Sequence, residues 1–410
     1  MDIPGLPARK GALKLLDAVL NRGETLDQAT NSALLGVKGN ADRALAKALA
    51  GEALRWLTDL DALIDSATRL PLAHDAKARS VLRLMLAGWL RLETPPHAVI
   101  ATGLPLLAGG PRRLAHGVFG ALTRRNVILP ATPTLPAPVM SRWGERGAGI
   151  ATGLAALPPL DLTLRDAAET AIWAERLGGV SLMPGHVRLG RGTAVENLEG
   201  YDEGAWWVQD LAAGLPARLL GEGQGRTVLD LCAAPGGKTL QLSADGWVVT
   251  ALDASARRLE RVQQNLARTG LIAEIVEADA LAWQPSALFD AVLLDAPCTA
   301  TGTCRRHPDV LHRIGPRQIA EQAESQAALL HQAAQWVKPG GTLVYAVCSL
   351  EPEEGEMQAA TVTLAPDPIR ADELRAGIAP SIDGYVRTDP GMLASEGGLD
   401  GFFIARWRKD

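Results

Sequence analysis

The stretch Thr227-Val228-Leu229-Asp230-Leu231-Cys232-Ala233-Ala234-Pro235-Gly236-Gly237-Lys238-Thr239 decides the fold. Its first five residues form an apolar run of strand length. The paired glycines that follow let backbone N–H groups approach a ligand closely before a helix begins. Three kinds of loop share this outline. A Walker phosphate loop needs Gly five residues before Gly237, where Cys232 stands, and the dinucleotide fingerprint G-x-G-x-x-G is missing. A nucleoside site for S-adenosylmethionine fits better. The next strand ends in Asp253, placed to accept hydrogen bonds from a ribose diol, and Asp279 after the third strand is placed for an adenine amino group. Single acids at strand ends are often only caps; Asp253, Asp279 and Asp295 in register behind a glycine loop are harder to dismiss.

Working outward, strand-length apolar runs alternate with amphipathic segments. Thr227 to Leu231, Trp247 to Leu252, Glu274 to Val276, Asp290 to Leu294 and Thr342 to Cys348 read as strands, and Ala256 to Arg268 and Arg317 to Val337 as helices. This alternation predicts a mostly parallel, doubly wound α/β sheet over residues 226–410, with ligands at the carboxyl ends of its strands. The front of the chain reads differently. Ala12, Leu15, Leu16 and Val19, then Leu45, Ala48, Leu49 and Trp56, then Leu82, Met85, Leu86 and Trp89, then Ala115, Val118, Phe119 and Leu122 recur at helical spacing. They predict an all-α domain over residues 1–128, closed by a Pro-rich linker at 129–142 that holds Pro130, Pro133, Pro136 and Pro138. Residues 143–225 are mixed, with short β-like pieces at Val187 to Leu189 and Trp206 to Val208. They predict a small α+β linking subdomain.

With 410 residues, 47% apolar and 21% charged, the chain excludes a disordered segment. Four cysteines, all between Cys232 and Cys348, exclude a disulfide scaffold. The first twenty residues carry Arg9, Lys10, Lys14 and Asp17 where a secretory segment would be apolar, so a cytoplasmic protein is expected. The charge-poor stretch from Thr94 to Pro111 is broken by prolines and reads as no membrane span. Without C-x-x-C spacing, no metal site is expected from the thiols. Net charge is −5, but residues 1–130 hold 17 Lys and Arg against 11 Asp and Glu, a front end of +6 before a remainder of −11. Local basic surface governs affinity for a polyanion more than the sum does. A solvated helical face would give the same count.

The fourth strand runs into Asp295-Ala296-Pro297-Cys298-Thr299-Ala300-Thr301-Gly302, and the fifth into Tyr345-Ala346-Val347-Cys348-Ser349. Adjacent parallel strands would bring the two thiols together beside Asp295. A free cysteine is usually a small core hydrophobe, the reading kept for Cys304. Two thiols and an acid suit a harder task. Cytosine C5 is a poor nucleophile until a thiolate adds to C6, and a carboxyl group at N3 stabilises the charge that develops on the ring. The adduct must then lose its C5 proton and expel the thiol, which a second thiol assists.

At these residues the chain resembles the RsmB/NOP family of RNA (cytosine-C5) methyltransferases. Leu231 through Thr239 is similar to the family's cofactor motif, and Asp295 to Gly302 with Arg305-Arg306-His307-Pro308-Asp309 to its motif IV. Cys348-Ser349-Leu350-Glu351-Pro352-Glu353-Glu354 is similar to its motif VI, and Asp400-Gly401-Phe402-Phe403 to its closing hairpin. The helical front, with Asp42-Arg43-Ala44-Leu45-Ala46 and Leu90-Arg91-Leu92, resembles a NusB-like RNA-binding domain. The resemblance implies a class I, Rossmann-like methyltransferase domain behind that front. It implies a monomeric enzyme using S-adenosylmethionine, and 16S ribosomal RNA or a small-subunit precursor as partner, with tRNA or another RNA as the alternative substrate. It also implies Cys348 as the nucleophile, Cys298 as the release thiol and Asp295 at the base. Cys232, Ala233, Ala234, Pro235, Gly236, Gly237, Lys238, Asp253, Arg258, Asp279 and Asp295 would line the cofactor site. Arg305, Arg306, Arg257 and Arg261 would meet phosphates near it. Ala346-Val347 departs from the family's Ser-Thr before the nucleophile. The rival from another class is a non-catalytic RNA-binding factor that keeps the methyltransferase fold as a scaffold.

Overall fold

A computed structural model describes residues 3–190 and 194–410; Met1 and Asp2 of the predicted first domain and residues 191–193 of the predicted linking subdomain lie outside the described residues. The chain divides into two compact units, 1–156 with 304–314, and 157–303 with 315–410.

The first unit is helical: α1 (Leu6–Arg22), α2 (Leu26–Ala33), α3 (Asn40–Arg55), α4 (Leu57–Asp65), α5 (Lys77–Leu90), α6 (Pro96–Gly103), α7 (Gly109–Arg124), α8 (Ala137–Trp143) and α9 (Arg146–Leu154). Their boundaries follow local chemistry. Pro7 opens α1, and Gly23, left-handed at φ 70°, closes it. Thr25 and Gln28 form a reciprocal capping box on α2. The core takes Leu15, Leu16, Leu49, Trp56, Leu82, Phe119 and Leu122, as the helical spacing predicts. Ala48 faces solvent instead; on α3 the buried stripe is Ala46, Leu49, Ala50, Ala53 and Leu54, because the helix turns one position off the quoted triplet. The Pro-rich stretch contains α8 and lies inside this unit, which runs on to Ala156. Buried Arg55 donates to the Arg305 carbonyl (2.8 Å), and His312 Nε2 bonds the Leu54 carbonyl (2.7 Å). Arg305 is only 1% exposed, so it is not a surface contact for phosphate; Arg306 is half-buried.

The second unit begins with β1 (Leu160–Leu164), α10 (Thr170–Arg176), β2 (His186–Leu189) and β3 (Trp206–Val208), whose strands form an antiparallel sheet in the order β2-β1-β3. β1 was not legible in the sequence. It carries Asp161, which is buried and clamped by both Nε and Nη2 of Arg188 at 2.6 and 2.7 Å. The rest of the chain adds α11 (Leu211–Arg218), β4 (Thr227–Leu231), α12 (Gly237–Ala244), β5 (Val248–Asp253), α13 (Ala256–Thr269), β6 (Glu274–Glu277), β7 (Phe289–Asp295), α14 (Val310–Arg313, within the first unit), α15 (Pro316–Gln335), β8 (Val337–Val347), α16 (Glu356–Ala359), β9 (Ala365–Pro366), β10 (Val386–Arg387) and β11 (Phe403–Arg408).

The large sheet has the order β10-β11-β8-β7-β4-β5-β6, with β9 on β11. Strands β4 to β8 run parallel, and β11 returns antiparallel along β8. Alternate residues face two separate apolar cores: Leu229, Leu231 and Leu294 on one side, Val228, Ala291, Leu293 and Val344 on the other. That two-sided burial is the doubly wound sheet predicted. The chain starts at the centre with β4, moves outward through β5 and β6, then crosses back to β7. The order therefore reverses between β4 and β7, where ligands of open α/β sheets bind.

Candidate active site

Register brings the strand ends together. Leu231 pairs with Leu294, and Asp295 with Ala346, so the loops after β4, β7 and β8 leave the sheet side by side at the switch point. Cys232, at φ 62°, turns the chain out of β4. Gly236 follows at φ 106°, where an added Cβ would also press on Val262 at 3.2 Å, and α12 starts immediately after it. The loop is tied to β5: the Ala234 amide donates to Asp253 Oδ2 (3.2 Å), and the Arg258 guanidinium donates to the Ala234 carbonyl. Asp253 is buried and also caps the Ser255 amide (3.0 Å). Asp279 is exposed after edge strand β6 and caps Leu281 (2.9 Å). Arg257 and Arg261 are exposed on α13.

The centre of the site is a lysine, a carboxylate and two thiols. Lys238 Nζ donates to Asp295 Oδ2 at 2.6 Å, with the ammonium 5.4 Å from the Phe402 ring centroid. Burial works against the Lys238 charge, but attraction from Asp295 outweighs it and raises the pKa above the usual lysine range. The Cys298 and Cys348 sulfurs lie 3.4 Å apart. The hydrogen bond to Cys348, burial, and the nearby Cys348 and Glu354 raise Cys298 well above the ordinary thiol range. The raised Cys298 thiol keeps its proton at neutral pH, and either sulfur can donate across the contact. Burial pushes Cys232 up to about 12, so the third thiol stays neutral. Cys304 is fully buried in the first unit. Ala346 and Val347 are also fully buried, one in each apolar core, so their lack of hydroxyls suits the surroundings.

Beneath the cofactor loop lies a cavity of about 350 Å³ lined by Ala233, Pro235, Lys238, Asp295, Asp230 and Gln209, among others. Asp253, Asp279 and both catalytic-candidate thiols lie outside its lining. Asp230 accepts from the Thr239 hydroxyl (2.5 Å), while its buried Oδ1 has no hydrogen-bond partner among the described residues. An orphaned carboxylate oxygen beside a buried Lys–Asp pair and a glycine-opened backbone suits a ligand with an ammonium and a carboxylate, as the methionyl end of S-adenosylmethionine has. Sequence reasoning missed Gln209 and Asp230 here, and missed Thr299, Gln326, Ser349 and Glu354 around the thiols.

A family model for 16S rRNA methyltransferase RsmB/F matches residues 217–408, and one for the NusB family matches residues 6–106. Ribosomal RNA small subunit methyltransferase B of Klebsiella pneumoniae subsp. pneumoniae is 34% identical over 97% of both chains, and that of Xanthomonas campestris pv. campestris 32% identical over 98% of this chain and 97% of its own.

The chain belongs to the ribosomal RNA small subunit methyltransferase B family.

Members of this family are S-adenosylmethionine-dependent methyltransferases, and this chain is an enzyme of that class. Among solved structures, PH0851 covers the whole of both chains at 21% identity and TM-score 0.73, showing the same fold. A methyltransferase homolog protein from Pyrococcus horikoshii is 25% identical, with TM-score 0.56, over 67% of this chain and 93% of its own. Among the described residues no helix is long and apolar enough to cross a membrane.

Proposed function

We propose that the protein methylates C5 of a cytidine in 16S ribosomal RNA through a covalent adduct between Cys348 and C6 of the base. The pair of sulfurs 3.4 Å apart at neighbouring strand ends, beside an ion-paired carboxylate, carries this reading. A scaffold that only bound RNA has no use for that constellation. Bound S-adenosylmethionine supplies an electrophilic sulfonium methyl group; Lys238, Asp230, Asp295 and the backbone of the 232–238 loop hold its methionyl end, and Asp253, Arg258 and Asp279 its nucleoside.

Cys348 adds to C6 and makes C5 enamine-like. Asp295 faces the base, and the Lys238 ammonium paired with it offsets the negative charge that thiolate addition develops on the ring. Once C5 carries the methyl group, its proton passes to Cys298 in exchange for the one Cys298 gives up, the C5–H electron pair forms C5=C6, and the Cys348–C6 bond breaks. Cys298, protonated and 3.4 Å away, is placed to return a proton to the departing sulfur. The base must be unstacked to reach this pair.

The helical unit supplies a basic face for the rRNA. Residues 94–144 contain five arginines and no acid. A groove of about 450 Å³ lies between the segment after α4 and α7, with Arg69 and Arg113 on its walls and Leu70, Leu72 and Leu114 along it. Arginines flanking apolar surface suit a strand of RNA whose phosphates and base faces are both available. We place the enzyme in the cytoplasm as a monomer; that its four cysteines form no disulfide supports the reducing compartment.

Methyl transfer from labelled S-adenosylmethionine to naked 16S rRNA, with tRNA and intact 30S subunits as parallel substrates, tests the reading. Label in 16S rRNA that maps to 5-methylcytidine is expected. Label confined to tRNA would redirect the enzyme to the other RNA, and no label in any arm would contradict the reading.

A further inference from the structure

We propose that Glu354 is a positioning residue that sets the separation of the two active-site thiols. The proposal rests on the two-thiol reaction above. Glu354 is fully buried, and every donor to its carboxylate comes from a thiol-bearing loop or from the side chain that grips one. Oε1 accepts from the Thr299 amide (2.9 Å) and from Gln326 Nε2 (2.9 Å); Oε2 accepts from the Thr299 hydroxyl and from the Ser349 hydroxyl (2.5 Å). Thr299 directly follows Cys298, and Ser349 directly follows Cys348. Gln326, on α15, also donates to the carbonyl of Pro297 (2.8 Å), the residue before Cys298. One carboxylate thus holds the chain on both sides of one cysteine and immediately after the other.

The neighbouring bonds show why an acid is needed there. The two loops are also stitched by the Gly302 amide donating to the Cys348 carbonyl (3.0 Å) and by the Leu350 amide donating to the Thr301 hydroxyl (3.0 Å). Glu354 takes donors from the residues that follow both sulfurs, Thr299 and Ser349, whose hydroxyls also lie 3.3 Å from each other. An ionised carboxylate offers acceptors alone, and four converging donors use that capacity fully. An amide of the same shape must turn an NH2 toward at least one donor, which opens the clamp without leaving a void. The separation matters because both thiols act on one carbon framework: Cys348 bonds C6, and Cys298 must reach the same region when the adduct breaks down.

The test compares full-length wild type, Glu354→Gln and Ser349→Ala, each with thermal unfolding as a control for folding. Thiol spacing is read independently of activity with phenylarsine oxide, whose arsenic takes two neighbouring thiols and releases water; Cys298→Ala defines binding to a single thiol. Glu354→Gln is expected to weaken dithiol capture and to lower kcat, each by at least about tenfold, with KM for RNA little changed. Ser349→Ala, which removes one of the four donors, is expected to fall between wild type and Glu354→Gln, and it decides the matter if Glu354→Gln does not fold. Unchanged arsenical capture with unchanged kcat, or a rise in KM alone, would overturn the proposal. If wild type captures the arsenical in a Glu354-dependent way yet methylates no cytidine, the clamp stands and the methylation reading falls.

Discussion

Asp230 shows how one residue at the centre of the site carries both a structural cost and a use. It is fully buried on β4, and burial pushes its pKa up to about 7, against the opposing Thr239 hydrogen bond and the Lys238 charge. The folded protein therefore binds a proton here that the unfolded chain, at about 4, has released. Stability contributed by this group is complete below about pH 4 and is lost as pH rises through about 7, by at most about 4 kcal/mol. Asp230→Asn should remove that dependence: the variant's urea midpoint should gain on wild type between about pH 5 and pH 8. Parallel profiles would show that Asp230 is already ionised in the fold. Cofactor affinity should fall in the same variant, because the carboxylate charge available to the ligand's ammonium is lost. Cys232, Asp253 and Asp295 were legible because strand ends before glycine loops announce themselves. Asp230 was not singled out: its position within a strand looks like any interrupted apolar run, and only the three-dimensional absence of a partner marks it.

Elements were legible where burial is apolar and illegible where it is ionic. All five parallel strands, β4 to β8, could be read from apolar runs of strand length. β1 escaped because Asp161 stands in it, yet this acid lies between Arg188 and His186 and accepts from the Leu211 amide (3.1 Å). Against the cost of burial, those partners hold its carboxyl well below the usual range. Arg188 also donates to the carbonyl of Glu396 (2.7 Å), so one side chain fastens the small sheet to the segment before β11. Arg188→Ala should destabilise the second unit by about 3–5 kcal/mol, because it strands a buried carboxylate; Arg188→Ala with Asp161→Asn should recover part of that loss. Denaturant unfolding of both variants checks this. Equal losses in the single and double variants would show that the ion pair is not what holds the small sheet. The small residues at the loop crossing were equally silent in sequence: a Cβ on Gly302 would stand 2.0 Å from the Gly401 carbonyl oxygen, a close approach between loops 99 residues apart that no local pattern signals.

For the whole molecule, the −5 net charge conceals a basic helical unit. The charge count anticipated the asymmetry but not where it falls: Arg305 proved to be buried, whereas the exposed Arg69 and Arg113 line a groove. Reversing both, Arg69→Glu with Arg113→Glu, should weaken 16S rRNA binding and flatten its dependence on log salt by roughly two phosphate contacts, while kcat at saturating RNA is retained. An unchanged salt slope would remove the groove from the RNA path. The chain's central claim, that two thiols at adjacent strand ends share a covalent reaction, is tested most directly by denaturing electrophoresis of protein incubated with 16S rRNA and S-adenosylmethionine. Cys298→Ala should accumulate an RNA adduct that survives denaturation, and Cys348→Ala should form none and transfer no methyl group. An adduct in Cys348→Ala but not in Cys298→Ala would reverse the roles, and no adduct in either would contradict covalent catalysis by this pair.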